Sequence, residues 1–412
     1  MSTILHQADK TSASPLASRV LSAQPSATKA MTALARQMRQ QGLDVITLSQ
    51  GELDFEVPQH IRAAAKSAID ANQSGYTDVP GTLALRQAIV RKFKRDNGLD
   101  FDASQIQVGC GAKQVIYNAL QATINPGDEV IIAAPMWVSY PEMVRLAQGV
   151  AVLVECEAVQ NFKLTPAQLA RAITPKTKWL MLNSPSNPTG AVYSKAELAA
   201  LAQVLQAHPH VWVISDDIYE KIRYDASEFA TMAAVAPELV DRTLTVNGVS
   251  KAFAMTGWRV GYGAGPSSLI QAMNLIQSQS TSHTSSISQA AAIAALDGSM
   301  AFLDVFTDAL RRRRDTVIER INAIEGLECG IPQGAFYAFV DCKALLGRRT
   351  LAGVQIVTDT DLSTYLLQTA HVAVVAGSAF ALDGYLRLSF ATNDRTLDSA
   401  LERIATACAQ LR

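Results

Sequence analysis

From about Ile61 to Leu310 the chain alternates short apolar runs with segments of helical spacing. The runs 129–133 (EVIIA), 178–182 (KWLML), 211–215 (VWVIS) and 243–247 (TLTVN) are almost unbroken, as strands covered on both faces require. Between them, Val115, Ala119 and Ala122 fall at helical spacing over 113–122. Such alternation predicts βα units feeding a mainly parallel sheet. After about Arg311 the pattern changes to a long charged helix followed by the runs 335–340, 372–375 and 386–390, which predicts a smaller α+β domain. The run 45–48 joins that domain, making it discontinuous. The expected division is a mobile tail over 1–15, small-domain segments over 16–60 and 311–412, and a large domain over 61–310.

Composition narrows what this architecture is for. At 412 residues, 49% hydrophobic and 18% charged, the chain is long enough for lobes of roughly 100 to 200 residues and too apolar to be disordered. A formal net charge of -1 gives no attraction for nucleic acid or an anionic membrane. Cys110, Cys156, Cys329, Cys342 and Cys408 are scattered without C-x-x-C spacing, so a reducing compartment is expected and neither a disulfide framework nor a zinc knuckle. No stretch reaches ~18 consecutive apolar residues, and the first thirty are polar, which predicts a cytoplasmic protein. His208 and His210 lack acidic neighbours, so no metal is expected. The arginines 311–314 spread around a helix axis and are expected on a solvated face.

Four stretches carry candidate chemistry, each at the end of an apolar run, where strand ends of such sheets face a ligand crevice. In 245–266 (TVNGVSKAFAMTGWRVGYGAGP) Lys251 follows a strand directly and Arg259 comes eight positions later. A desolvated amine there can lose its proton and attack an aldehyde. In 183–190 (NSPSNPTG) Asn187 lies over the sheet, although Pro, Asn and Gly also make tight turns for structural reasons alone. In 215–219 (SDDIY) Asp216 or Asp217 is a carboxylate at the rim, or a helix N-cap. In 108–114 (VGCGAKQ) a glycine turn opens a helix whose first N–H groups suit an anion, without the spacing of a nucleotide-binding P-loop.

Taken in this order, the four stretches resemble the class I aminotransferases among the fold-type I pyridoxal-phosphate enzymes. The segments 25–28 (PSAT), 126–130 (PGDEV), 137–145 (WVSYPEMVR) and 250–262 (SKAFAMTGWRVGY) are particularly similar to the bacterial aspartate and aspartate/prephenate branch. The resemblance spans nearly the whole chain. It implies a large domain with a mainly parallel seven-stranded sheet flanked by helices, a smaller α+β domain, and pyridoxal 5'-phosphate as cofactor. Lys251 would carry the cofactor as a Schiff base, Asp216 would bind the ring nitrogen, and Tyr219 with Asn187 would bind the ring's phenolic oxygen. Trp137 would stack on the ring. Gly111, Ala112, Lys113 and Arg259 would hold the phosphate, with Tyr76 reaching in from the partner of a homodimer with shared active sites. Arg387 would grip the substrate's α-carboxylate, a task suited to a planar guanidinium. Gly51 would allow backbone approach to the same group, and Trp137 and Asn187 would also line the substrate site.

By the same resemblance an L-amino acid, aspartate above all, gives its amino group to 2-oxoglutarate in ping-pong fashion, with the freed Lys251 amine as general base. Lys113 matches the lysine that faces a substrate's distal carboxylate and favours acidic substrates. The sequence departs from the branch at Gln24, where dual-specificity enzymes carry lysine, and at Ala112, Met136 and His283-Thr284. The His283 segment resembles a loop lining a neighbour's side-chain pocket, or is a solvated loop. The competing readings are an aromatic-type aminotransferase or a β-lyase on the same fold, and a noncatalytic regulator, for which the N-terminal tail is too short to hold a DNA-binding module.

Overall fold

A computed structural model describes residues 15–225 and 228–412. The expected tail therefore lies, Pro15 apart, outside the described residues. Numbered in chain order, the strands are β1 (Ile46–Thr47), β2 (Ile106–Gly109), β3 (Glu129–Ala134), β4 (Val150–Glu155), β5 (Thr177–Asn183), β6 (Trp212–Asp216), β7 (Thr243–Gly248), β8 (Gly261–Ala264), β9 (Tyr337–Asp341), β10 (Val372–Ala373), β11 (Val375–Ala376) and β12 (Tyr385–Ser389). A seven-stranded sheet runs in the order β2-β8-β7-β6-β5-β3-β4. Only β8 opposes its neighbours; every other adjacent pair is parallel. This is the mainly parallel, helix-flanked seven-stranded sheet that the sequence resemblance implies.

The unbroken apolar runs became β3, β5, β6 and β7 because both sheet faces are covered. Helices Ala112–Thr123 and Ser267–Ser278 pack on one face, and Lys195–Gln206 on the other. Ser194 caps the last of these in a reciprocal box with Glu197. Strand β8 was not expected, since glycines are poor strand formers. Here packing requires one: a Cβ on Gly261 would fall onto the Ala112 backbone nitrogen, so only glycine admits the start of helix Ala112–Thr123 beside the sheet. The edge strand β4 also lay outside the sequence expectations. The alternation of strands and helices stops at β8, after which three helices follow and the charged helix starts at Phe302, earlier than expected.

A three-stranded antiparallel sheet, β11-β12-β9, and the pair β1-β10 lie apart from the large sheet. The expected run 372–375 is divided: β10 pairs with β1, and β11 pairs with β12. Helices Phe302–Asn322 and Asp394–Ala409 close a core over these strands that includes Val317, Ile321, Phe336, Leu388 and Leu401. Each such fully buried apolar side chain stabilises by roughly 1.5 to 3 kcal/mol.

Two of the four arginines at 311–314 correct the solvated-face expectation. Arg313 pairs with Asp54 and Asp394, and Arg314 with Asp225 and Asp315, both arginines being buried, while Arg311 and Arg312 are exposed. Among the described residues no single helix is long and apolar enough to cross a membrane, and no cluster of three or more His, Cys, Asp or Glu is arranged to hold a metal ion.

Candidate active site

The C-terminal ends of β5, β6 and β7 converge on one rim: Asn183 is paired with Asp216, and Asp216 with Val246. Above it lies a cavity of about 320 Å³ lined by residues that include Ala112, Lys113, Trp137, Asn187, Asp216, Tyr219, Lys251, Arg259 and Arg387. Parallel sheets bind ligands beyond these strand ends.

Lys251, just past β7, is half-buried, and its Nζ donates to the Gly51 carbonyl at 2.7 Å. Burial is the main reason its pKa falls to about 8, with the neighbouring Arg387 and Arg259 charges helping. A substantial neutral fraction near pH 7 to 8 makes this amine a usable nucleophile and base. Gly51 has no room for a side chain, because a Cβ there would run into the Tyr337 hydroxyl.

Of the two candidate carboxylates, Asp216 faces the cavity. Tyr140 donates its hydroxyl to Asp216 Oδ2 at 2.6 Å, and the Ile218 N–H reaches Oδ1 at 3.2 Å. Burial pushes the Asp216 pKa up to about 6 against these two donors. The segment that follows is a turn and not a helix, which removes the N-cap reading. Asp217 points away from the cavity, where Ser215 Oγ donates to it at 2.8 Å, and burial holds its pKa well above the usual carboxylate range. Tyr219 shares a 2.9 Å hydroxyl contact with Tyr337.

Arg387, in the middle of β12, is buried and does not face solvent. Its Nη1 donates to Asn187 Oδ1 at 3.0 Å and its Nη2 to the Ser49 carbonyl, while Nε has no partner. Among the described residues the Asn187 Nδ2 makes no hydrogen bond, while its own backbone N–H is tied to Asn183 Oδ1 at 2.9 Å. Lys113 donates to Ser139 Oγ at 3.0 Å and lies 4.6 Å from the centre of the Trp137 ring. Trp137 is half-buried at the cavity and is not a core tryptophan; Trp179 is the fully buried one. Gly111 (φ +84°) precedes helix Ala112–Thr123 without lining the cavity, and a Cβ on it would collide with the Arg259 guanidinium. Arg259 is itself tied to the Thr256 and Cys110 carbonyls at 2.9 and 3.0 Å.

Tyr76 is 96% exposed and stands outside the cavity of its own chain. Its ring meets His283 edge-on at 5.7 Å, and His283 Nε2 accepts the Thr77 N–H at 3.2 Å, so the histidine braces this loop and is not simply solvated. Sequence reasoning missed Tyr140, Tyr337, Asn183 and the segment Ser26, Thr28 and Lys29, all of which line the cavity. Tyr140 and Asn183 were within reach, standing inside stretches already singled out; Tyr337 gave no local signal.

A family model for aminotransferase class I and II matches residues 43–404. The chain belongs to this family. Aminotransferases of this class work with pyridoxal phosphate, and the chain is an enzyme of that kind. It is 51% identical over 395 residues to an aspartate aminotransferase of Rhizobium meliloti (strain 1021), covering 96% of both proteins. It is 52% identical over 387 residues to an aspartate/prephenate aminotransferase of Cereibacter sphaeroides, covering 94% of this chain and 97% of that one. The crystal structure of the aspartate aminotransferase from Rhizobium meliloti superposes with a TM-score of 0.94 at 50% identity, over 97% of this chain and 100% of that one. The Thermus thermophilus aspartate aminotransferase with maleate gives 0.89 at 43% identity, over 96% and 100%.

Proposed function

We propose that this aminotransferase moves the amino group of L-aspartate to 2-oxoglutarate in two half-reactions, the first product leaving before the second substrate enters. The observation that carries this reading is the convergence, in one cavity, of a depressed amine at Lys251, a buried carboxyl at Asp216 and a buried guanidinium with an unsatisfied Nε at Arg387. These residues fit pyridoxal 5'-phosphate: among the described residues Asp216 has no cation at ion-pair distance, as an acid awaiting a protonated ring nitrogen would not. When bound, the cofactor supplies an aldehyde and a ring that draws electrons from the reacting carbon.

The protein's own part is binding and proton movement. Asp216 would hold the ring-nitrogen proton, with Tyr140 fixing the carboxylate. Asn187 Nδ2 and the Tyr219 hydroxyl would donate to the phenolic oxygen, and Trp137 would cover the ring. The backbone from Gly111 to Lys113 and the Arg259 guanidinium would hold the phosphate. Arg387 would clasp the α-carboxylate, leaving Lys251 Nζ to take the proton from the substrate's Cα. Lys113 would face the distal carboxylate; the relatives' names, and the maleate in the Thermus structure, support a dicarboxylate. The exposed Tyr76 supports a homodimer in which each chain completes the other's site. A large domain over 61–310 and a small one from 16–60 and 311–412 belong to the same reading, supported by the separate sheets. A formal net charge of -1 gives no attraction for nucleic acid in this scheme, and a cytoplasmic setting suits the free thiols.

The test is direct. The purified protein should show a visible cofactor band, borohydride should fix a pyridoxyl group on Lys251, and aspartate with 2-oxoglutarate should give oxaloacetate and glutamate. A Lys251→Ala protein that kept the band, or a label on another lysine, would refute the assignment.

A further inference from the structure

The mouth of the cavity is formed in part by the first turn of helix Ala27–Gln40, which contributes Ser26, Thr28 and Lys29 to its lining. Ser26 caps this helix, its Oγ accepting the Lys29 N–H at 3.5 Å. Lys29 is thus the third helical residue, and no acid accompanies it in that turn. Unpaired N–H groups and the helix dipole make a first turn unfavourable for a cation. Facing the same cavity are Lys113 and Arg259. The Lys113 pKa is lowered, first by burial and then by the charges of Lys29 and Arg259, so these cations repel one another across the space. Among the described residues none of the three forms an ion pair, although eighteen such pairs occur elsewhere on the chain. Three cations and a helix N-terminus around one opening, none of the cations ion-paired among the described residues, describe a place that an anion completes.

We propose that Lys29 is a specificity-determining residue: together with Lys113 it receives the distal carboxylate of a dicarboxylic substrate at the cavity mouth, while Arg387 holds the α-carboxylate at its floor. The inference rests on the substrate reading above and adds to it a second cation on a different element. Arg387 sits on buried β12 and Lys29 on an exposed helix turn, so the two carboxylates of one short substrate meet cations at two depths. The same anionic chemistry is offered by the cofactor's phosphate, and the experiment separates the two.

Maleate, an unreactive dicarboxylate, and butyrate, a monocarboxylate, are titrated into the purified holoenzyme and their dissociation constants read from the shift of the cofactor absorbance. The proteins compared are the wild type, Lys29→Gln, Lys29→Arg and Lys113→Gln. Lys29→Gln is expected to weaken maleate by about 5- to 30-fold and leave butyrate unchanged, as for loss of one partly exposed charge contact. Lys29→Arg should stay close to the wild type. In the aspartate half-reaction the change should fall on KM and not on kcat. Retention of the cofactor during dialysis against phosphate should be unaltered. Equal weakening of maleate and butyrate, or faster loss of cofactor, would assign Lys29 to the α-carboxylate or phosphate end and overturn the proposal. Unchanged maleate affinity in Lys29→Gln with a large loss in Lys113→Gln would remove Lys29 and leave the substrate reading standing. A wild type that does not prefer maleate to butyrate would instead sink the substrate reading itself.

Discussion

Two buried arginines show how differently the cavity and the seam of helix Phe302–Asn322 handle charge. Arg387 is 2% exposed and stacks 4.6 Å from the Tyr337 ring; Arg314 is 4% exposed and stacks 4.8 Å from the Tyr224 ring. Around Arg314 every nitrogen is satisfied, by the carboxylates of Asp225 and Asp315 and the Pro332 carbonyl. Burial works against its charge, but the two carboxylates more than reverse this and its pKa is raised. Arg387 donates only to a neutral amide and a carbonyl, keeps an orphaned Nε, and has a pKa lowered by burial. An uncompensated buried ion costs several kcal/mol in stability, so the cavity holds a charge that folding alone would not retain. Burial alone therefore does not separate the two arginines; the missing counter-charge does, and it is what the role proposed for Arg387 requires.

The sharpest way to break this comparison is to remove the cavity arginine. Arg387→Ala is expected to lower kcat/KM for aspartate by about 10² to 10⁴-fold, the range for truncating one partner of a desolvated charge contact. The unfolding free energy of the cofactor-free protein should be unchanged or higher. Steady-state kinetics and urea denaturation of the same preparation check both halves. A loss of less than roughly tenfold in kcat/KM would mean that the substrate carboxylate is held elsewhere.

Asp216 extends the contrast to the opposite charge. Its folded pKa, about 6, lies above the ordinary value of 3.8 for such a carboxyl, so between these values the folded chain keeps a proton that the unfolded chain releases. Stability from this group is therefore present below about pH 4 and falls as pH rises through about 6, by up to about 3 kcal/mol for a shift of this size. Asp216→Asn removes the slope. Urea midpoints of both cofactor-free proteins between pH 4 and 7 should converge toward the acid end and separate toward pH 7, with the wild type the less stable there. Parallel profiles across that window would contradict the buried, unpaired carboxyl.

Much of this cavity was legible in the sequence because strand ends place residues without knowledge of the tertiary fold. Lys251, Asp216 and Asn187 each follow an apolar run, and β5, β6 and β7 deliver them to one rim. What the sequence left hidden depends on packing between distant segments. Strand β8 exists because its glycines allow a helix start to approach, and β10 and β11 divide one apolar run by pairing with different partners. Tyr337 reaches Tyr219 from a separate sheet, a contact that local periodicity cannot express. The arginine run misled for the same reason: helical spacing correctly spread the four around the axis, but it could not show that Asp54 and Asp225 wait where Arg313 and Arg314 arrive.

The seam arginine supplies the smaller and opposite effect. Arg314→Met keeps an apolar stem over Tyr224 and removes the charge from Asp225 and Asp315, both of which reach solvent. Because those carboxylates can rehydrate, the destabilisation should be about 1 to 2 kcal/mol, below the ~3 to 5 kcal/mol expected when a fully buried partner is stranded. Arg314 touches no cavity residue through its hydrogen bonds, so kcat/KM per folded molecule should stay within about twofold of the wild type. Denaturant midpoints, read with kinetics at a temperature well below the transition, measure the two quantities separately. If Arg314→Met instead lowered turnover as Arg387→Ala does while stability held, counter-charge would not distinguish structural from functional arginines in this fold.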